Sequence, residues 1–190
     1  VVAYGQIIPD IYLKKTDLIF LNLHASLLPK WRGAAPIERA ILNKDKETGI
    51  SIMKIEKKLD AGPFIKQVTV KIDKETTSGE LNKKLSVLGA KALMETIELI
   101  SSSKVNFNQQ NEKEATYAKK INKIETQINW KDTAENIIAK INAFYPNPGC
   151  WFELSDVRVK VIKAIEVEKA GNAGVILDNK MTIALSLIHI

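Results

Sequence analysis

The sequence predicts an α/β fold built on an open sheet and followed by a small β-barrel that is cut short. Three observations carry that prediction. The run Asp17-Leu-Ile-Phe-Leu-Asn-Leu-His24 is continuously apolar until its end, which suits a parallel strand buried on both faces. Thr77-Ser-Gly-Glu80 has the form of a capping box opening a long helix after two further strands. Beyond Trp151, short alternating strands joined by a tight turn read as the start of a barrel. With 190 residues, 45% of them hydrophobic, the chain can bury a real core in one or two domains.

Taken in order, Val1 to Ala3 reads as the end of a strand broken by Gly5, and a segment with Pro9 leads into the strand that ends at His24. Leu27 to Gly33 is a loop. Pro36 then starts a helix through Leu42, closed by Asn43, because proline lacks only an N–H that the first helical turn does not use. Gly49 to Ile55 and Val68 to Ile72 are strands, the second with Val68, Val70 and Ile72 on one face, and the polar loop Lys57 to Gly62 lies between them. The capping-box helix turns Leu81, Leu85, Leu88 and Ala92 to the core at spacings of three and four. Ser, Asn and Gln then dominate from Ser101 to about Asn111, which predicts a linker rather than packed structure. Asp132-Thr-Ala-Glu135 caps a helix with Ile137, Ile138, Ile141 and Phe144 inward, stopped by Pro146-Asn-Pro-Gly149. Trp151 to Leu154 and Val157 to Val161 form a hairpin across Ser155-Asp156. The division that follows is a first domain over 1–105, a linker over 106–128 and a second, incomplete domain over 129–190.

A net charge of +6 invites a nucleic-acid partner, but the excess is spread along the chain: 16 Lys and Arg against 12 Asp and Glu up to Ser103, and 12 against 10 beyond it. Compositional drift toward lysine and a surface that meets tRNA or phosphate explain this equally well. The single cysteine, Cys150, rules out an intramolecular disulfide and suits a reducing, cytoplasmic setting. No apolar run approaches bilayer-spanning length, so a soluble chain with no membrane partner is expected. The chain opens on Val1-Val-Ala-Tyr-Gly5 without a Met, already in a strand, and we expect its domain to begin upstream.

Asn22 and His24 stand two apart, so they share one face at the carboxyl end of a strand, where ligand crevices form in open α/β sheets. An amide donor beside an imidazole can meet a carbonyl oxygen that turns negative during acyl transfer. Asp60, in Leu59-Asp-Ala-Gly62, is the candidate carboxylate to hold the imidazole or position a proton-relaying water. Each has a plainer reading as a strand-end cap, a satisfied core histidine or a turn residue. Ser26-Leu-Leu-Pro29 suits the mouth of a crevice for a flat heteroaromatic ligand, or is a proline-stiffened connection. Trp31 and Arg32 could meet a substrate or pack inward, and Lys119, Lys120, Arg158 and Lys160 could meet phosphates or simply face solvent.

The segments Asn22 to Ile41, Glu47 to Met53 and Leu59 to Gly62 resemble the methionyl-tRNA formyltransferase family, with further landmarks at Val1 to Gly5, Asp73 to Leu88, Tyr117 to Ile121 and Phe144 to Trp151. The resemblance implies a partial Rossmann-like formyltransferase domain and a barrel-like (OB-like) carboxyl-terminal domain that helps bind tRNA. It implies 10-formyltetrahydrofolate as formyl donor, initiator methionyl-tRNA as acceptor, no metal, and a monomer when complete. Asn22, His24 and Asp60 match the family's catalytic set, and Ser26, Leu27, Leu28 and Pro29 its folate-contacting stretch. Arg32, Lys119, Lys120, Arg158 and Lys160 are then the candidates for tRNA contact. Two departures stand out: the first half of the Rossmann-like domain is absent, and Leu185 to Ile190 does not continue the family's pattern. The alternatives are a related folate-dependent formyltransferase acting on a purine precursor or a sugar nucleotide, and a non-catalytic RNA-binding module.

Overall fold

The computed structural model describes residues 8–15 and 18–185. The expected strand at Val1 to Ala3, the first residue of the Asp17 to His24 run and the tail from Ser186 lie outside the described residues. A single helical turn, α1 (Asp10–Leu13), follows Pro9 and leads to β1 (Leu21–His24). Next come β2 (Arg32–Gly33), α2 (Pro36–Leu42), β3 (Glu47–Lys54) and β4 (Phe64–Lys71). After them stand α3 (Ser78–Ser101), β5 (Tyr117–Ala118), α4 (Ala134–Phe144), β6 (Cys150–Leu154) and β7 (Val157–Val161).

The central sheet has the order β1-β3-β4, and both of its pairings are antiparallel. That corrects the expected parallel direction of the first strand, as far as the described residues go. Continuous apolarity reports burial of both faces, and it does not report which way the neighbouring strand runs. β3 lies in the middle with Ile50 and Ile52 fully buried, and its Ser51 pairs with His24 on one side and Gln67 on the other. The second correction is β2. Arg32 and Gly33, expected in a loop, pair in parallel with Tyr117 and Ala118, which returns the segment after α3 to the end of β1.

The helices follow their local signals. Pro36 opens α2 and Asn43 ends it. The Thr77 hydroxyl accepts from the Glu80 N–H while the Glu80 carboxylate accepts from the Thr77 N–H, so the predicted box caps α3. Leu81, Leu85 and Ala92 are buried beneath it and Leu88 is half-buried. At α4 the cap is one residue later than expected: Thr133 is the N-cap and accepts from the Asn136 N–H, while Asp132 accepts from the Thr133 N–H and the Asn136 amide. Ile137, Ile141 and Phe144 turn inward as predicted, with Ile138 half-buried.

One apolar core joins these parts, with Ile37 and Ile41 of α2, Ile50 and Ile52 of β3, Leu81 and Leu85 of α3, and Ile141, Phe144 and Cys150 gathered in it. Burying side chains of this size contributes about 1.5–3 kcal/mol each. The hairpin β6–β7 forms as predicted, with Ser155 and Asp156 at φ of 47° and 63°, the left-handed pair that matches the strands' own twist. Among the described residues, the further ladder contacts near this hairpin are the isolated bridges Gln127 to Trp151 and Ile176 to Ile183. No described helix is long and apolar enough to cross a membrane.

Candidate active site

β1 carries Asn22 and His24 at its carboxyl end, and His24 is almost wholly buried. Its Nε2 lies 2.8 Å from the Trp31 carbonyl oxygen. A carbonyl only accepts, so Nε2 carries a hydrogen, and Nδ1 is the nitrogen turned toward Asp60. Trp31 takes a left-handed φ of 60°, which costs a non-glycine residue energy unless its surroundings enforce it. They do: its N–H donates to the Thr116 hydroxyl at 2.8 Å and its indole to the Asp45 carboxylate at 2.7 Å. The imidazole is thereby oriented by backbone that is itself held from two sides.

Asp60 arrives on the loop between β3 and β4, at a φ of 46°. Its Oδ2 accepts from the Gly33 N–H at 2.9 Å and stands 3.7 Å from His24 Nδ1, while its Oδ1 lies 3.5 Å from the Asn22 amide nitrogen. The structure therefore brings Asp60 to the other two side chains, 38 positions after Asn22 in the sequence. Two glycines permit the approach. Gly33 has a φ of 116° and a Cβ there would fall 2.8 Å from the Ala118 carbonyl; one on Gly62 would fall 1.9 Å from the Lys54 carbonyl. The 3.5 and 3.7 Å separations are long for hydrogen bonds, so Asp60 is held most firmly by the Gly33 N–H.

The Ser26 to Pro29 stretch is pinned by two residues that sequence reasoning missed. Ser51 donates to the Ser26 carbonyl at 2.7 Å and accepts from the Leu28 N–H at 3.0 Å. Gln67 donates to the Leu28 carbonyl and to the Ser51 hydroxyl, both at 2.8 Å. The signal was present in Ser51, a polar residue interrupting the apolar run of β3, and in Gln67, its cross-strand neighbour.

Arg32 requires a correction. Expected to meet tRNA, it is fully buried, with its guanidinium spent on Gln110 at 2.8 and 3.0 Å and on Glu112 at 2.8 and 3.2 Å. A charge so enclosed cannot reach a phosphate. Hydrogen bonds from Arg32 and then Lys58 hold the Glu112 carboxyl down at about 2. The Ser-, Asn- and Gln-rich stretch expected to be unpacked is thus packed at its end, through Gln110. The other four candidates are exposed. Lys119 and Lys120 line a groove of about 370 Å³ with Arg39, Tyr117, Asn122 and Glu125. Arg158 lies 3.7 Å above the Trp151 ring, and Lys160 reaches the Pro146 carbonyl at 3.2 Å.

A donor pair beside a carboxylate at a strand end has the chemistry that acyl transfer to an amine needs. Residues 1–97 match the formyl transferase family and residues 120–186 match the formyl transferase carboxyl-terminal domain. The chain belongs to the formyl transferase family. Among curated members it is 49% identical to the methionyl-tRNA formyltransferase of Pelagibacter ubique over 97% of its own length and 59% of that protein's. It is 45% identical to the enzyme of the same name from Nitrosospira multiformis, over 85% and 52%. The chain therefore spans a little over half the length of these formyltransferases. Among solved structures, the N-formyltransferase from Helicobacter canadensis, crystallised with folinic acid and dTDP-3-aminofucose, shares the fold with a TM-score of 0.71 at 24% identity, over 85% of this chain and 60% of that one.

Proposed function

We propose that the protein transfers a formyl group from 10-formyltetrahydrofolate to the α-amino group of methionine esterified to initiator tRNA. The observation that carries this reading is the convergence of Asn22, His24 and Asp60 at the end of β1. The naming of relatives 49% and 45% identical over most of the chain supports tRNA as acceptor over a purine precursor or a sugar nucleotide.

The residues present fit a folate donor. The Ser26 to Pro29 backbone is held in one shape by Ser51 and Gln67, which leaves Leu27 and Pro29 partly exposed to meet a flat ring. When bound, 10-formyltetrahydrofolate supplies the formyl carbon. The Asn22 amide and a protonated His24, which carries a hydrogen on Nδ1 as well as on Nε2, donate to the formyl oxygen as negative charge grows on it. The methionine amine forms the new C–N bond with the formyl carbon as the bond from that carbon to the folate N10 breaks. Asp60 takes the proton that the amine sheds, directly or through a water, and passes it on to the folate N10, so that the folate leaves as the neutral amine and Asp60 returns to its carboxylate.

The remaining expectations join this reading. Leu27 and Pro29 contact the folate, while Ser26 and Leu28, buried and with their backbone groups spent on Ser51 and Gln67, hold that stretch in shape; Lys119, Lys120, Arg158 and Lys160 meet tRNA phosphates; a first domain over 1–105 and a barrel-like second domain over 129–190 flank a linker over 106–128. The protein works as a monomer in the cytoplasm. Formylation of charged initiator tRNA, measured beside a sugar-nucleotide acceptor and with Asn22→Ala, His24→Ala and Asp60→Asn compared, tests the proposal. Preference for the sugar nucleotide, or three variants as active as the parent, would overturn it.

A further inference from the structure

We infer that Gln110 is the positioning residue for Asp60, clamped for that task by the buried Arg32. The inference rests on the catalytic reading of Asp60 above and adds to it a residue from a stretch with no chemistry of its own. Gln110 uses both ends of its side-chain amide. Its Nε2 donates to the backbone carbonyls of Asp60, at 2.8 Å, and of Gly62, at 2.7 Å. Its Oε1 accepts from Arg32 Nε at 3.0 Å and Nη2 at 2.8 Å. Arg32 is in turn paired with Glu112, and Glu112 accepts from Lys58, two residues before Asp60 in the same loop.

The loop needs such a clasp. Asp60 sits at a left-handed φ of 46°, which aspartate tolerates better than most residues, so its own backbone preference leaves the turn to be fixed by its contacts. Its carboxylate also has to stay within reach of both His24 Nδ1 and the Asn22 amide. Two carbonyls converging on one amide fix the backbone on both sides of Ala61, so the carboxylate is placed by backbone position as well as by the Gly33 N–H. Only an amide can serve both partners at once, donating to two carbonyls while accepting from a guanidinium.

That chemistry supplies a discriminating variant. Gln110→Glu keeps oxygen acceptors for Arg32 but sets a carboxylate oxygen against two carbonyls, so it preserves the Arg32 side and releases the loop. Gln110→Leu loses both sides. Formyl transfer and melting are measured for each, together with the NMR signals of the His24 ring, which are assigned by His189→Gln because the chain has 2 histidines. For Gln110→Glu we expect kcat to fall by about 10- to 100-fold with KM for 10-formyltetrahydrofolate within about twofold, and Tm close to the parent's. Its His24 signals should move toward those of Asp60→Asn. Gln110→Leu should lose both kcat and Tm. Parent-like kcat and unmoved His24 signals in Gln110→Glu would overturn the inference, as would a Tm loss matching that of Gln110→Leu. If instead Asp60→Asn transfers formyl as well as the parent, the catalytic reading fails, while the His24 signals still report whether Gln110 places the Asp60 carboxylate.

Discussion

Replacing His24 by alanine removes a ring that is tied to the Trp31 carbonyl and faces Asp60, so under the proposed mechanism it takes away both an oxyanion donor and the group that Asp60 confronts. We expect kcat for formyl transfer to drop by about 10²–10³-fold, the range for losing one preorganised oxyanion donor. Asn22→Ala should lose a similar amount with little change in Tm, because its hydrogen bond to Asp60 is a long 3.5 Å. Single-turnover formylation checks both, and a variant at parent speed would remove that residue from the chemistry. Arg32 behaves differently. Arg32→Met should leave the salt dependence of tRNA binding unchanged while lowering stability by about 1–3 kcal/mol, since Gln110 loses its partner inside the fold. Denaturant titration and binding at two ionic strengths decide it. At this scale strand spacing put Asn22 and His24 on one face, and the Leu59 to Gly62 turn offered Asp60 as the carboxylate that the fold sets 3.5 Å from the first and 3.7 Å from the second. The sequence hid the role of Arg32, whose partners lie 78 and 80 positions away and leave no local mark.

Elements whose signals are local were legible, and those made by distant pairing were not. The capping box of α3 needs only Thr77 and Glu80, and the β6–β7 turn only Ser155 and Asp156; both formed where predicted. At α4 two adjacent oxygen-bearing side chains, Asp132 and Thr133, competed for the cap, and the amide of Asn136 settled the cap on Thr133 by occupying Asp132. The two-residue strand β2 exists because β5, more than eighty positions later, lies beside it, and no window of sequence contains both. The α3 cap carries its own prediction. Thr77→Ala removes the acceptor of the Glu80 N–H and should cost about 0.5–2 kcal/mol. Hydrogen bonds from Thr77 also lower the Glu80 carboxyl. Chemical denaturation at pH 7 reads the cost, and an unchanged midpoint would show that the packing of Leu81 and Leu85 holds the helix start without it.

Across the whole molecule, carboxylates pin the segment that runs from α3 to α4 onto the first half of the chain. Glu112 pairs with Arg32 and Lys58, and Glu125 pairs with Arg39 on α2. Both carboxyls lie below their ordinary range, Glu112 at about 2, first through the hydrogen bonds from their basic partners. A group held lower in the folded state contributes stability above its unfolded value and loses it as pH falls through the folded one. The contribution of Glu112 is thus present above pH 4.5, its ordinary value, and fades between there and about pH 2. Acid should therefore loosen this segment before it melts the core around Ile50, Ile141 and Phe144, whose packing involves no charge. Hydrogen exchange at pH 7 and pH 3.5 should show protection lost first over residues 108–126, which include Gln110 and the β2–β5 pairing. Glu112→Gln should mimic the acid effect at pH 7, and its Tm deficit against the parent should shrink as the pH is lowered. A deficit constant from pH 7 to pH 3 would mean that Glu112 acts by shape rather than charge, and the clasp over the Asp60 loop would then hold independently of pH.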